Sequence, residues 1–159
     1  MRRLNFQSPD FDYDETDPPG FRCGAVRMRE AIGGEKLGAS LYEIPEGEAV
    51  CPYHYEDPEE EWLLVLDGTP SVRTVEGEEE LAPGEAVCFP AGPKGAHQVL
   101  NRAAETARVM IVSTRNHPAI AVYPDSGKIG TFTKREDDNK MFRRESAVDY
   151  YDGETEDGP

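Results

Sequence analysis

The sequence predicts an all-β domain, a sandwich or barrel of many short strands, and three observations carry that expectation. Short apolar-containing runs recur at 21–29, 37–44, 48–55, 61–67, 70–75, 78–81, 85–89, 96–101 and 106–114. Turn signals separate them: Gly33-Gly34, Pro45-Glu46-Gly47, Asp67-Gly68, Glu76-Gly77, Pro83-Gly84 and Gly92-Pro93. No long helical period is present, and only residues 26–32 read as a short helix. At 159 residues the chain is one domain with room for a real core.

Taken in order, residues 1–20 are rich in Asp and Pro with a few apolar anchors, Phe6, Phe11 and Tyr13. They predict an irregular arm that lies across its own domain or a partner subunit. Residues 21–133 are expected to form the β-barrel, with 123–128 (Tyr-Pro-Asp-Ser-Gly-Lys) as a loop leaving it. Residues 134–159 form an acidic tail in which Met141-Phe142 and Val148 to Tyr151 can dock. From Asp152 to Pro159 there is no apolar content, and disorder is expected. Cys23, Cys51 and Cys88 lack metal-ligand spacing and predict reduced, mostly buried thiols.

Thirty-two acidic against 17 basic residues give a formal charge of −15. Such a surface repels nucleic acid and anionic lipid, because binding either requires Lys and Arg to neutralise phosphate. No stretch approaches a membrane span, and no signal-peptide pattern follows Met1-Arg2-Arg3, so a cytoplasmic protein is expected.

The chemistry concentrates in the middle of the chain. His54 and Glu56 are two residues apart and share a face of an extended strand. Glu61 opens the apolar run Glu61-Trp62-Leu63-Leu64-Val65-Leu66, and by strand phase it shares a face with Leu63 and Val65. Its neighbour Glu60 would face outward or lie in the loop, and is the fallback. His97 shares a face with Val99 and Asn101. Two imidazoles and carboxylates on neighbouring strands make a nitrogen/oxygen metal site. Of the other aromatics, Trp62 and Phe89 read as core or sheet-packing residues, or as walls of a cavity. His117 and Lys94 read as solvated loop residues, whereas Tyr53, Tyr55 and Gln98 point away from the proposed site. No Gly-x-Ser-x-Gly, phosphate-binding glycine loop or Cys-x-x-Cys is present.

Two segments carry a family resemblance. The first is Gly47-x6-His54-x-Glu56-x4-Glu61-x6-Gly68, and the second is Gly84-x5-Pro90-x-Gly92-x4-His97-x3-Asn101. Together they resemble the paired motifs of the cupins. Three departures stand out: the gap before His54 is one longer, the gap before His97 is two longer, and Glu56 replaces the second histidine of His-x-His. The resemblance implies a cupin double-stranded β-helix, a jelly-roll-like barrel, with a metal held by His54, Glu61 and His97. Glu56 is either a fourth ligand or a solvent-facing carboxylate. A His2Glu2 set favours Mn²⁺ or Fe²⁺, although zinc and nickel also accept such ligands.

The resemblance also implies a homodimer that exchanges its amino-terminal strands, and a small-molecule ligand. Function then divides. A metal-dependent enzyme of dioxygenase or isomerase type is favoured, because no signalling or DNA-binding domain is visible. The alternatives are a non-catalytic metal- or small-molecule-binding cupin and a metal-free structural barrel, and fold alone does not choose between them.

Overall fold

A computed structural model describes residues 1–154, so most of the expected disorder between Asp152 and Pro159 lies outside the described residues. Within that tail Asp152 and Glu154 are still in turns, their backbone amides bonded to the carbonyls of Asp149 and Tyr151.

The strands in chain order are β1 Asp12–Tyr13, β2 Gly24–Arg27, β3 Leu37–Ile44, β4 Tyr55–Asp57, β5 Glu61–Asp67, β6 Ser71–Thr74 and β7 Glu78–Glu80. They continue with β8 Ala86–Phe89, β9 His97–Leu100, β10 Ala107–Thr114, β11 Ala119–Tyr123, β12 Lys128–Phe132 and β13 Lys140–Arg143. One short helix, α1 Met28–Ile32, follows β2, and no helix among the described residues is long and apolar enough to cross a membrane.

The first layer is a six-stranded antiparallel sheet in the order β1-β2-β3-β10-β5-β8. The second layer combines β7-β6-β9 with β13-β12-β11-β4. The stretch before β4 joins these two groups through bridges Ala49↔Leu100 and His54↔His97. All pairings are antiparallel, and the two layers close over one core, as expected for a double-stranded β-helix.

Period-two alternation decides which side chains enter that core. On the first sheet, register aligns Tyr42 with Val109, Val109 with Val65, and Ile111 with Leu63. Their inward face meets Val72, Val99 and Phe89, forming a cluster with Cys23 and Ile44. At roughly 25 cal/mol per Å² of apolar surface removed from water, this burial is the main term holding the layers together. Leu41 points to the opposite face yet is buried, because the arm carries Phe6 and Phe11 across that surface.

The arm thus packs on its own sheet. β1 pairs with β2, and Tyr13 Oη donates to Glu43 Oε1 at 2.7 Å. Gly24 permits this, since a Cβ there would lie 2.7 Å from the Tyr13 ring. Across the same sheet, just past Asp67 in the row Gly24, Glu43, Arg108 and Asp67, Gly68 has a φ of 72° and sits against Ala107, whose Cα lies 2.7 Å from where a Cβ would be. Asn101 is fully buried and ties the end of β3 to the turn that follows β9. Its Nδ2 donates to the carbonyls of Ile44 and Glu105, and its Oδ1 accepts from the Ala103 amide.

Several local expectations need correction. Residues 48–55 form isolated bridges rather than a continuous strand, and pairing resumes only at β4. The stretch 123–128 does not leave the barrel but is the tight connection of the β11–β12 hairpin. Trp62 is not core: it is 52% exposed, on the outward face opposite Cys88, beyond the reach of the arm. For the same reason Cys88 is exposed, and Cys51 is half-buried, so only Cys23 fits the buried-thiol expectation. Met141 and Phe142 lie on β13, paired to β12, but their side chains stay largely exposed.

Candidate metal centre

Three ligand-type side chains converge between the two layers. His54 precedes β4, Glu61 opens β5 and His97 opens β9. The amides and carbonyls of His54 and His97 bond reciprocally, at 3.0 and 2.8 Å, which locks the two residues side by side. Glu61 comes from the facing sheet, at the register position of Ser113 and Phe89. Its Oε2 lies 3.8 Å from His54 Nε2 and 3.5 Å from His97 Nε2. One ligand atom from each of the three falls within 4.8 Å of the others.

Both imidazoles are oriented by backbone. His54 Nδ1 lies 3.0 Å from the Pro52 carbonyl and His97 Nδ1 lies 2.9 Å from the Gly95 carbonyl. A carbonyl can only accept, so each Nδ1 carries the proton and donates. The Nε2 lone pairs are thereby left facing Glu61, the arrangement by which outer hydrogen bonds orient metal-binding histidines. Gly95 reaches this position because a Cβ would collide with the Pro90 carbonyl oxygen at 1.8 Å. The Phe89 ring stacks on His97 at 3.6 Å, and Tyr123 stacks on His54 at 5.8 Å.

The pocket disfavours charge. Burial pushes the Glu61 carboxyl up to about 8, with Glu56 and Glu59 adding to the shift. Burial pulls His97 down to about 4 and lowers His54 as well. Two neutral imidazoles and one carboxylate are the donor types that divalent first-row metals take, and a cation's charge would favour the ionised carboxylate. Donors about 2.1 Å from a shared ion stand roughly 3–3.5 Å apart, so the trio needs only a small contraction to fit one.

Glu56 lies outside this close cluster. It faces the same cavity, and burial together with Glu59 raises its carboxyl to about 6. The cavity has a volume of about 620 Å³, and its other polar walls include Arg27, Tyr42, Tyr123 and Lys128. It adjoins a smaller one of about 350 Å³ that shares Arg27, Tyr42, Glu56 and Glu61.

Sequence reading misses Tyr123, Lys128 and Arg27 as cavity residues. The period-two pattern Ala119, Ala121, Tyr123 and Lys128, Gly130, Phe132 around a turn ending in Gly127 was the available signal. Glu59, flanked by other acids, is also missed. It is 5% exposed and accepts from Thr114 Oγ1, the Asn116 amide and Asn116 Nδ2, pinning the turn after β10. His117 is only half-exposed: its Nε2 accepts from Arg115 Nε at 3.2 Å, while its Nδ1 is buried without a partner. Tyr53 lies under the Arg73 guanidinium at 4.1 Å and Gln98 donates to the Cys51 carbonyl, so both engage the outer side.

Residues 40–113 match the family model described as Cupin domain. Among solved structures, a putative sugar phosphate isomerase from Acidithiobacillus ferrooxidans has a TM-score of 0.80 at 22% identity, covering 92% of this chain and 95% of that one. A sugar phosphate isomerase of the cupin superfamily from Silicibacter pomeroyi has a TM-score of 0.79 at 22% identity, covering 98% of each chain. The polyketide cyclase RemF from Streptomyces resistomycificus has a TM-score of 0.60 at 21% identity, covering 75% of this chain and 83% of that one. At these identities the likeness is one of fold. No curated protein matches the sequence.

Proposed function

We propose that this chain, whose residues 40–113 form a cupin domain, is a metal-dependent enzyme that acts on a small oxygen-rich molecule. The convergence of His54 Nε2, His97 Nε2 and Glu61 Oε2 at the wall of a cavity large enough for such a molecule carries the reading. The trio fits a divalent ion by donor type, by its outward-anchored imidazoles and by its spacing. A bound divalent ion would polarise substrate oxygens and stabilise negative charge developing on them.

The remaining roles belong to the chain. His54, His97 and Glu61 hold the ion; two histidines with one carboxylate suit Fe²⁺, and Glu56 as a fourth ligand would extend that preference to Mn²⁺. Phe89 and Tyr123 fix the imidazole planes. Glu56, on the cavity wall beside the trio, either completes the ligand set or carries a proton to and from the substrate. Its present position outside the close cluster favours the proton role. Of the two reaction types, isomerisation is favoured, since it needs a carboxylate that moves a proton beside a polarised carbonyl. The two structures that match almost the whole chain are named as sugar phosphate isomerases, which agrees with this choice, although fold by itself does not make it. The reading places the enzyme in the cytoplasm as a homodimer.

The test is a panel of aldoses, ketoses and hydroxy acids offered to metal-loaded protein in D₂O. Deuterium incorporation next to a carbonyl, without oxygen uptake, is the expected result. Oxygen uptake with no exchange would replace isomerase with dioxygenase. Neither activity, with metal bound, would leave a binding protein. Glu56→Gln should keep its metal and lose about 10²–10⁴-fold in exchange rate, the range typical of general acid–base groups. Loss of the metal itself would instead make Glu56 a ligand.

A further inference from the structure

Among the described residues five arginines pair with carboxylates: Arg29 with Glu30, Arg73 with Asp125, Arg102 with Glu78, Arg108 with Asp67 and Arg135 with Asp138. The two cations that line the large cavity do not. Among the described residues neither Arg27 nor Lys128 makes an ion pair, although Asp17, Glu56 and Glu61 line the same cavity. Arg27 Nη1 instead donates to Tyr42 Oη at 2.9 Å, and Lys128 Nζ lies 5.3 Å from the centre of the Tyr123 ring. In a chain of formal charge −15, two cations that line a cavity without an ion pair have donors left for something else.

Their placement gives that something a shape. Arg27 ends β2 on one layer, and Lys128 begins β12 on the other, in register with Tyr123. Arg27 is exposed and Lys128 half-exposed, whereas His54 and His97 are buried, so the cations stand at the mouth and the trio further in. A ligand that uses both ends carries oxygens inward and a negative group outward.

We infer that the substrate is an anion, a polyol-type molecule bearing a phosphate or carboxylate, whose charged group is held between Arg27 and Lys128. This rests on the proposed metal-dependent reading for the inner end of the ligand, but the grip on the anion does not require the metal.

The experiment titrates the full chain, loaded with Mn²⁺, with glycerol, glycerate and glycerol 3-phosphate by calorimetry, and measures metal in the same samples. Both anions are expected to bind at least roughly tenfold more tightly than glycerol, the scale of one charge-assisted hydrogen bond. The tighter of the two anions identifies phosphate or carboxylate. Arg27→Gln and Lys128→Gln, singly and together, should reduce that preference and in the double variant abolish it, with metal content unchanged. Equal binding of the three probes, or a preference that survives in the double variant, overturns the grip. Protein that prefers the anions yet binds no metal would remove the metal reading and leave the grip standing. Metal bound without anion preference would remove the grip alone.

Discussion

Glu61 was legible among three consecutive glutamates because a strand imposes a strict alternation, and Leu63 and Val65 on its face are buried. Glu59 was not, because it precedes β5, where no period applies, and its burial is decided by the distant turn at Asn116. Trp62 shows the same limit from the other side. Alternation puts it on the outward face, but only the path of the arm determines that nothing covers it there. Asn101 belongs to the legible class, as a motif residue whose role becomes structural on inspection. Replacing it by Ala strands the buried Ile44 carbonyl and removes the partner of the part-buried Glu105 carbonyl and Ala103 amide. A loss of about 2–4 kcal/mol is expected, with a lower urea midpoint at unchanged slope. An unchanged midpoint would mean that water satisfies those groups.

At the scale of elements, eight of the nine central runs were readable from turn chemistry, yet 48–55 forms only bridges and the β11–β12 hairpin was not read. Pro124 and Asp125 read as an exit, and only pairing with β4 brings Tyr123 and Lys128 to the cavity. The hairpin tip is tethered by Arg73, which holds Asp125 with bonds of 2.6 and 2.9 Å and keeps its carboxyl below the ordinary value of 3.8. A depressed carboxyl contributes stability above its unfolded value and loses it as pH falls through the folded one. Asp125→Asn should therefore lower Tm slightly at pH 7, within the 0–1 kcal/mol of exposed pairs, and have no effect near pH 2. An equal deficit at both pH values would argue against the ion pair. The arm offers a second test. In Gly24→Ala a Cβ would press on Tyr13 at 2.7 Å and Phe11 at 2.9 Å. Residues 1–20 should then become more sensitive to protease, with about 1–3 kcal/mol lost. Unchanged cleavage would mean that the arm has another anchor.

The whole molecule carries a formal charge of −15, and its self-repulsion opposes compaction. Salt screens that repulsion over about 10 Å at 0.1 M, so Tm should rise as NaCl is added from low ionic strength. A fall would indicate that surface ion pairs such as Arg73 with Asp125 outweigh the repulsion. The same charge makes the site stand out: two imidazoles and two cations without ion pairs meet Asp17, Glu56 and Glu61 in one cavity. The central claim concerns what that cavity holds. It is tested most directly by elemental mass spectrometry on untagged protein, wild type beside Glu61→Gln and Glu56→Gln. Near-stoichiometric divalent metal in wild type and Glu56→Gln, and its loss in Glu61→Gln, is the predicted result. Equal metal content in wild type and Glu61→Gln, or none in either, would contradict it.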